Sequence, residues 1–162
     1  MPAIATIGVY GFSAATFLAA LEAADARLVL DVRQRRGVRG PEYAWANSRR
    51  LQALLAAAGI GYRHHLELAP TTELRRLQYR EDDRLGVGKR SRALLAPEYA
   101  ERYTREILAL ADLDAIAAEL PRGGASVLLC VERDPQACHR SLAAERLAAR
   151  VGWPLEHLLP AN

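Results

Sequence analysis

Cysteine is scarce in this chain, two among 162 residues, and lysine scarcer still, one against 21 arginines. Two cysteines cannot build the disulfide framework that staples small secreted domains. Nor is one needed, since a single domain of this length buries roughly two-thirds of the surface its unfolded form exposes. Long apolar runs are also missing. Arg, Asp or Glu interrupts every hydrophobic stretch short of the roughly 20 residues that cross a bilayer, which excludes a membrane-spanning helix and a membrane partner. The first residues lack a charged region followed by a long apolar segment, so a cytoplasmic location is expected. No internal repeat, linker or low-complexity tract divides the sequence, and residues 1–162 read as one domain.

What the chain has in excess is arginine, and it clusters. Six arginines and one glutamate stand between Arg33 and Arg50. Guanidinium forks match phosphate and carboxylate oxygens, which makes nucleic acid a candidate partner of this segment. The competing account is a solvated charged face with no partner at all.

Hydrophobic patterning alternates strands with helices. Ala3 to Val9 reads as a short buried strand, after which Ser13 caps a helix with Phe17, Leu18 and Leu21 on one face. Arg27 to Arg33 is a second strand ending in Asp31-Val32-Arg33. A helix around Asn47 to Ala58 carries Leu51, Leu54, Leu55 and Ala58 inward and stops at Gly59. Gly61 to Leu66 follows as a third strand, then a polar helix from Thr71 to about Arg84. Pro97 opens a long helical pattern in which Tyr99, Tyr103, Ile107 and Leu110 recur at turn spacing. Val127 to Cys130 forms the next strand, and a closing helix uses Ala144, Leu147, Ala148 and Val151. Pro154 to Leu159 is a candidate fifth strand. The pattern predicts an α/β fold: a single three-layer domain with a mostly parallel sheet of about five strands and helices on both faces.

The chemistry concentrates in one stretch. Both cysteines lie between Cys130, at the end of an apolar strand, and Cys138-His139-Arg140, just before a helix. A loop from strand to helix sits at the carboxyl edge of a sheet, where open α/β folds bind ligands. Thiol, imidazole and guanidinium together supply a nucleophile, a proton carrier near neutral pH and an anion clamp. Asp31 and Arg33 end the second strand at the same edge. The expected pocket therefore combines Asp31, Arg33, Cys130, Glu132, Cys138, His139 and Arg140. In it Arg33 and Arg140 hold an anion, His139 moves protons, and Cys138 or Cys130 attacks. If the last helix starts at Asp134, Cys138, His139 and Arg140 fan around a turn; if it starts near Ser141, they converge.

Other motifs carry less. Cys130, Cys138, His139 and His64 would suit zinc, but their spacing matches no paired-ligand zinc pattern, and no cofactor is expected. His64 and His65 point to opposite faces of a strand, and His64 is the one assigned to the site. Gly86 to Ser91 is not a phosphate loop, because Asp83 stands where its first Gly belongs and Arg90 where Ser or Thr should follow Lys89. Tyr10, after Thr6-Ile7-Gly8, is placed to overhang the site.

Thr6-Ile7-Gly8, Asp31-Val32-Arg33, Tyr62 with His64, and Leu129-Cys130-Val131-Glu132 running to Cys138-His139-Arg140 resemble one known family over nearly the whole chain. It is the domain of unknown function family numbered 488, small bacterial and archaeal α/β proteins without an agreed activity. That resemblance implies the fold and adds Thr6 and Gly8 to the substrate-contacting candidates, beside Tyr10 and His64. A weaker similarity to rhodanese-like domains, in the Asp-Val-Arg and Arg140-Ser141 placements, stays at the level of the fold. The expected function is that of an enzyme or ligand-processing domain acting on a small anionic substrate. The alternative is a nucleic-acid-binding or accessory protein working through Arg33 to Arg50. A third reading, a redox sensor, needs the Cα atoms of Cys130 and Cys138 within about 7 Å.

Overall fold

A computed structural model describes residues 1–162. Five strands form one parallel sheet: β1 (Pro2–Ile7), β2 (Ala26–Asp31), β3 (Gly61–His64), β4 (Gly124–Leu129) and β5 (Leu155–Leu158). Their order is β3-β2-β4-β1-β5, so β4 lies in the middle. All six residues of β4 are buried. Successive side chains of a strand point to opposite faces, so both faces of the sheet are covered.

The covering helices are α1 (Ala14–Ala23), α2 (Ser48–Ala57), α3 (Thr72–Leu85), α4 (Pro97–Tyr103), α5 (Leu113–Glu119) and α6 (His139–Val151). Three of them start at a side chain that satisfies a free N–H group of the first turn. Ser13 and Thr16 cap α1 reciprocally, and Thr71 and Asp112 cap α3 and α5 through their side chains. Right-handed crossovers carry β1 to β2 and β2 to β3 in one direction and return β3 to β4 and β4 to β5 in the other. That places α1 and α2 on one face and α3 to α6 on the opposite face. In keeping with this, α6 packs against α4 and α5.

Two segments depart from the helical pattern. The run from Pro97 does not continue to Leu110: α4 passes into a π-helical turn over Thr104–Leu108, and Asp112 starts a new helix. Leu110 is consequently 81% exposed, although its spacing from Tyr103 suggested an inward face. In α2, Leu51 and Leu55 are buried, Leu54 is half-buried and Ala58 faces solvent just beyond the end of the helix.

The topology also locates a crevice. From β2 the chain moves outward to β3, whereas from the adjacent β4 it moves the other way, past β1 to β5. The carboxyl ends of β2 and β4 are thus a point where the winding reverses, the position at which open parallel sheets bind ligands.

Candidate active site

Cys130 follows the last residue of β4, and the chain then makes a 3₁₀ turn over Pro135–Ala137 before α6. Cys138 is the N-cap of that helix, in extended conformation, so helix formation starts between the two alternatives left open by the sequence. As a result Cys138 and His139 turn toward Cys130, while Arg140 turns away. The Cys138 sulfur lies 3.7 Å from His139 Nδ1, and the Cys130 sulfur 3.9 Å from the same nitrogen. The Cys130 thiol points at Glu132 Oε2, 3.6 Å away. The far ring nitrogen of His139, Nε2, donates to the Val32 carbonyl at the end of β2, 2.8 Å away. A carbonyl can only accept, so Nε2 carries its proton and Nδ1 is the atom that answers to the sulfurs.

Electrostatics separate the two thiols. Burial alone would push the Cys138 thiol up, but the hydrogen bond from Cys130, the charge of His139 and nearby Arg140 outweigh it. They hold Cys138 well below the ordinary thiol range. Burial pushes Cys130 well up, and the charge on Cys138 adds to the effect. His139 is raised: burial opposes its charged form, yet the Cys138 thiolate and the Val32 carbonyl more than compensate. These shifts favour a thiolate on Cys138, an imidazolium on His139 and a neutral thiol on Cys130. The thiolate also sits at the amino end of a 13-residue helix, where the peptide dipoles favour negative charge.

Buried ion pairs brace this cluster from both sides. On one side Arg33, 2% exposed, is held in a fork by Asp31 at 2.9 and 2.8 Å and donates a third bond to the Ala46 carbonyl. Tyr62 donates to the same carboxylate at 2.6 Å, and His64 Nε2 donates to the Arg33 carbonyl at 2.8 Å. On the other side Arg92 grips Asp82 with bonds of 2.6 to 3.0 Å, reaches Glu132 at 3.3 Å and donates to the Ala137 carbonyl. Gln78 donates to Asp82, and its own carbonyl accepts from the Ala96 N–H. Burial raises Glu132, with the Cys138 charge adding to it, while Lys89 and Arg92 pull it back.

The sulfurs open onto a small cleft of about 50 Å³. Four arginines and one lysine line it. Arg33 and Arg92 are spent on their carboxylates, and Arg75 donates to Gln34 and Tyr79. Lys89 and Arg35 make no ion pair or hydrogen bond within the chain. Burial opposes the charge on Lys89, but Glu132 and Cys130 raise its affinity for the proton, so it remains an ammonium.

Of the residues singled out in the sequence, Arg33, Cys130, Glu132, Cys138 and His139 line this cleft. The other six are placed elsewhere. Asp31 stands behind Arg33 as its counter-ion. Arg140 is fully buried and donates to the Glu132 and Arg133 carbonyls, so its role is to fasten the loop above Cys138. Arg33 is likewise committed inward, which leaves Lys89 and Arg35 as the cleft cations without a partner. Gly8 is a contact glycine: a Cβ there would collide with the Glu132 carbonyl. Thr6 bonds His157 across β1 and β5, and His64 holds the Arg33 carbonyl. Tyr10 lines a neighbouring outer cleft.

Sequence reasoning missed Gln78, Asp82, Lys89 and Arg92. Gln78 and Asp82 sit four apart on the face of α3 that also buries Leu74 and Leu77. A polar pair at core-facing spacing was the available signal.

The atoms of Cys130, Cys138 and His139 that could ligate a metal lie within 4.8 Å of one another. His64, the fourth donor considered from the sequence, is turned to the Arg33 carbonyl, and the nearest carboxylate, Glu132, is paired with Arg92. Both cysteines are free thiols. Comparisons with curated proteins and with solved structures returned no match. Residues 13–147 do match the family described as domain of unknown function DUF488, and the chain belongs to that family.

Proposed function

We propose that the protein is a cysteine-dependent enzyme acting on a small anionic substrate, with the Cys138 thiolate as nucleophile. The observation that carries this is the Cys138–His139 pair at the amino end of α6, its imidazole fixed from behind by Val32. A thiol needs a lowered pKa and a positioned acid to form and release a covalent intermediate. Here the thiolate attacks an electrophilic centre of the substrate, and His139 Nδ1 delivers its proton to the departing group. Lys89 and Arg35, unpaired at the cleft wall, hold the anionic part of the substrate. The Cys130 thiol, directed to Glu132, stays neutral beside the thiolate.

Two alkylating reagents of nearly equal size test both halves of the proposal. Iodoacetate is anionic and iodoacetamide neutral; mass spectrometry resolves which cysteine each modifies. Cys138 should react first with both and should favour iodoacetate relative to a free thiol, and Lys89→Ala should abolish that preference. Cys138 modified no faster than an unfolded cysteine would overturn the nucleophile, and an unchanged preference in Lys89→Ala would overturn the anion site.

The nucleic-acid alternative keeps part of its basis. Arg33 is withdrawn into the interior, but Arg35, Arg39, Arg49 and Arg50 are exposed. If these arginines alone did the work, binding would fall steeply with salt and would be indifferent to Cys138→Ser.

A further inference from the structure

A second cleft adjoins the first. The two share Arg35, Arg75, Tyr79, Lys89 and Val131 as a common wall. Beyond that wall the outer cleft adds Arg39 and Arg90, and the carboxylate beside it, Glu42, is paired with Arg90. A concave surface with a clear excess of one charge sign concentrates counter-charge beyond what scattered surface residues do. Nothing in the described mechanism uses it.

Arg90 is built into place. Its guanidinium lies 5.1 Å from the Tyr10 ring centre and 5.2 Å from that of Tyr43, stacked on both aromatic faces. It is tied to Glu42 at 3.2 Å and donates to the Arg39 carbonyl at 3.1 Å. Those bonds join the loop before α2 to the loop after α3, and they fix the spacing of Arg39 and Arg90. Arg39 itself makes no side-chain bond, so its fork is free.

We infer that the outer cleft is a second anion subsite, and that the ligand is a chain of linked phosphate groups running from Arg39 and Arg90 past Lys89 to Cys138. This rests on the reading of the inner cleft as an anion-accepting site. A monoanion cannot occupy both clefts at once, whereas linked phosphates repeat their charge along a line and offer oxygens to the free Arg39 fork and to the Arg90 and Lys89 charges in turn. A carboxylate ends at its own two oxygens. Linked phosphates come from two sources, a nucleoside polyphosphate or the phosphorylated end of a nucleic acid strand.

Isothermal titration calorimetry at low salt tests the subsite without relying on any reaction. The probes are orthophosphate, tripolyphosphate, ATP and a 5′-phosphorylated trinucleotide, each against wild type, Lys89→Ala and an Arg39→Ala/Arg90→Ala double variant. Tripolyphosphate should bind wild type at least about tenfold tighter than orthophosphate, because the second contact is intramolecular once the first has formed. The double variant should lose that advantage and keep orthophosphate binding; Lys89→Ala should weaken both. Equal affinity of wild type for the two phosphates would overturn the proposal, as would a double variant that keeps the tenfold ratio. Tighter binding of ATP or of the trinucleotide identifies which source the cleft fits. Iodoacetamide labelling in parallel separates this from the inner site: an unreactive Cys138 with Arg39- and Arg90-dependent tripolyphosphate binding fails the nucleophile alone.

Discussion

The ring nitrogen Nε2 of His139 donates to the carbonyl of Val32 at 2.8 Å, joining residues 107 positions apart in the sequence. The bond ties the start of α6 to the end of β2 and decides which nitrogen faces the sulfurs. It is one of three such attachments in a row. Asp31 O accepts from the His65 N–H, Val32 O from His139 and Arg33 O from His64. The end of β2 therefore forms a fixed floor, against which the imidazole cannot rotate.

That relationship predicts a split between stability and reactivity. His139→Ala orphans the buried Val32 carbonyl, and unfolding free energy in urea should drop by about 1–3 kcal/mol. His139→Gln offers Val32 an amide donor but supplies no imidazolium. It should recover part of the stability while leaving Cys138 labelling by iodoacetamide at pH 7 slowed about tenfold or more, in line with the usual contribution of a positioned acid–base group. Labelling restored together with stability would mean that His139 acts on Cys138 through packing alone.

The pH dependence follows from two shifts of opposite sense. Cys138 is held below its ordinary value, chiefly by Cys130 and His139 against the cost of burial. Its contribution to stability is present above the unfolded thiol value and is lost as pH falls through the lowered folded value. His139 is raised, so its contribution is complete below the unfolded imidazole value and is lost as pH rises through the raised folded value. The ion pair fills the interval between the two folded values. Iodoacetamide labelling of Cys138 should accordingly persist at pH values where an ordinary thiol is protonated and inert. Cys130, pushed well up by burial, should stay unlabelled over the same range. A single labelling profile shared by both cysteines, rising only in the ordinary thiol range, would contradict this.

Much of this was legible in the sequence for a simple reason: strands and caps announce themselves locally. The apolar runs at Val127–Leu129 and Leu28–Leu30 end in charge at the sheet edge, and Ser13 and Thr71 precede their helices as caps do. The direction of side chains at that edge is not local. Whether Arg140 faces a ligand or a carbonyl depends on where α6 begins and on how closely Gly8 of β1's loop approaches Glu132. The same holds for Arg33, whose partner Asp31 lies two residues away, on the side of the strand end that turns inward. Lys89 and Arg92 follow a polar helix in a segment with no strand to orient it. Their arrival at the cleft is set by the Arg92–Asp82 pair, and no periodicity encodes that.

The Arg92 pair is open to direct measurement. Arg92, Asp82 and Glu132 are all nearly inaccessible, and one guanidinium serves both carboxylates. Arg92→Ala should therefore leave two buried carboxylates without their cation and cost about 3–5 kcal/mol in urea unfolding at pH 7. Glu132→Gln removes a charge already disfavoured by burial and keeps Arg92 on Asp82, so its cost should be clearly smaller. The ranking is the test. Equal losses would show that Arg92 is held by Glu132 rather than by Asp82.

Gly8 gives the last prediction, because a structural position there reports on the site. The loop after β1 passes so close to the chain after β4 that a Cβ at residue 8 would run into the Glu132 carbonyl, and within 3.2 Å of the Arg140 guanidinium that bonds it. The Val9 and Tyr10 N–H groups both donate to the Val131 carbonyl at 3.0 Å, so the loop cannot simply lift away. Gly8→Ala must instead displace the Glu132 backbone, an overpacking strain that costs about 1–3 kcal/mol. Displacing Glu132 moves the acceptor of the Cys130 thiol and the loop that leads to Cys138. Chemical denaturation should show the lost stability, and iodoacetamide labelling of the still-folded variant should show Cys138 slowed as well. A destabilised variant with unchanged Cys138 labelling would mean that the Arg140-fastened loop closes the fold without setting the geometry of the thiolate.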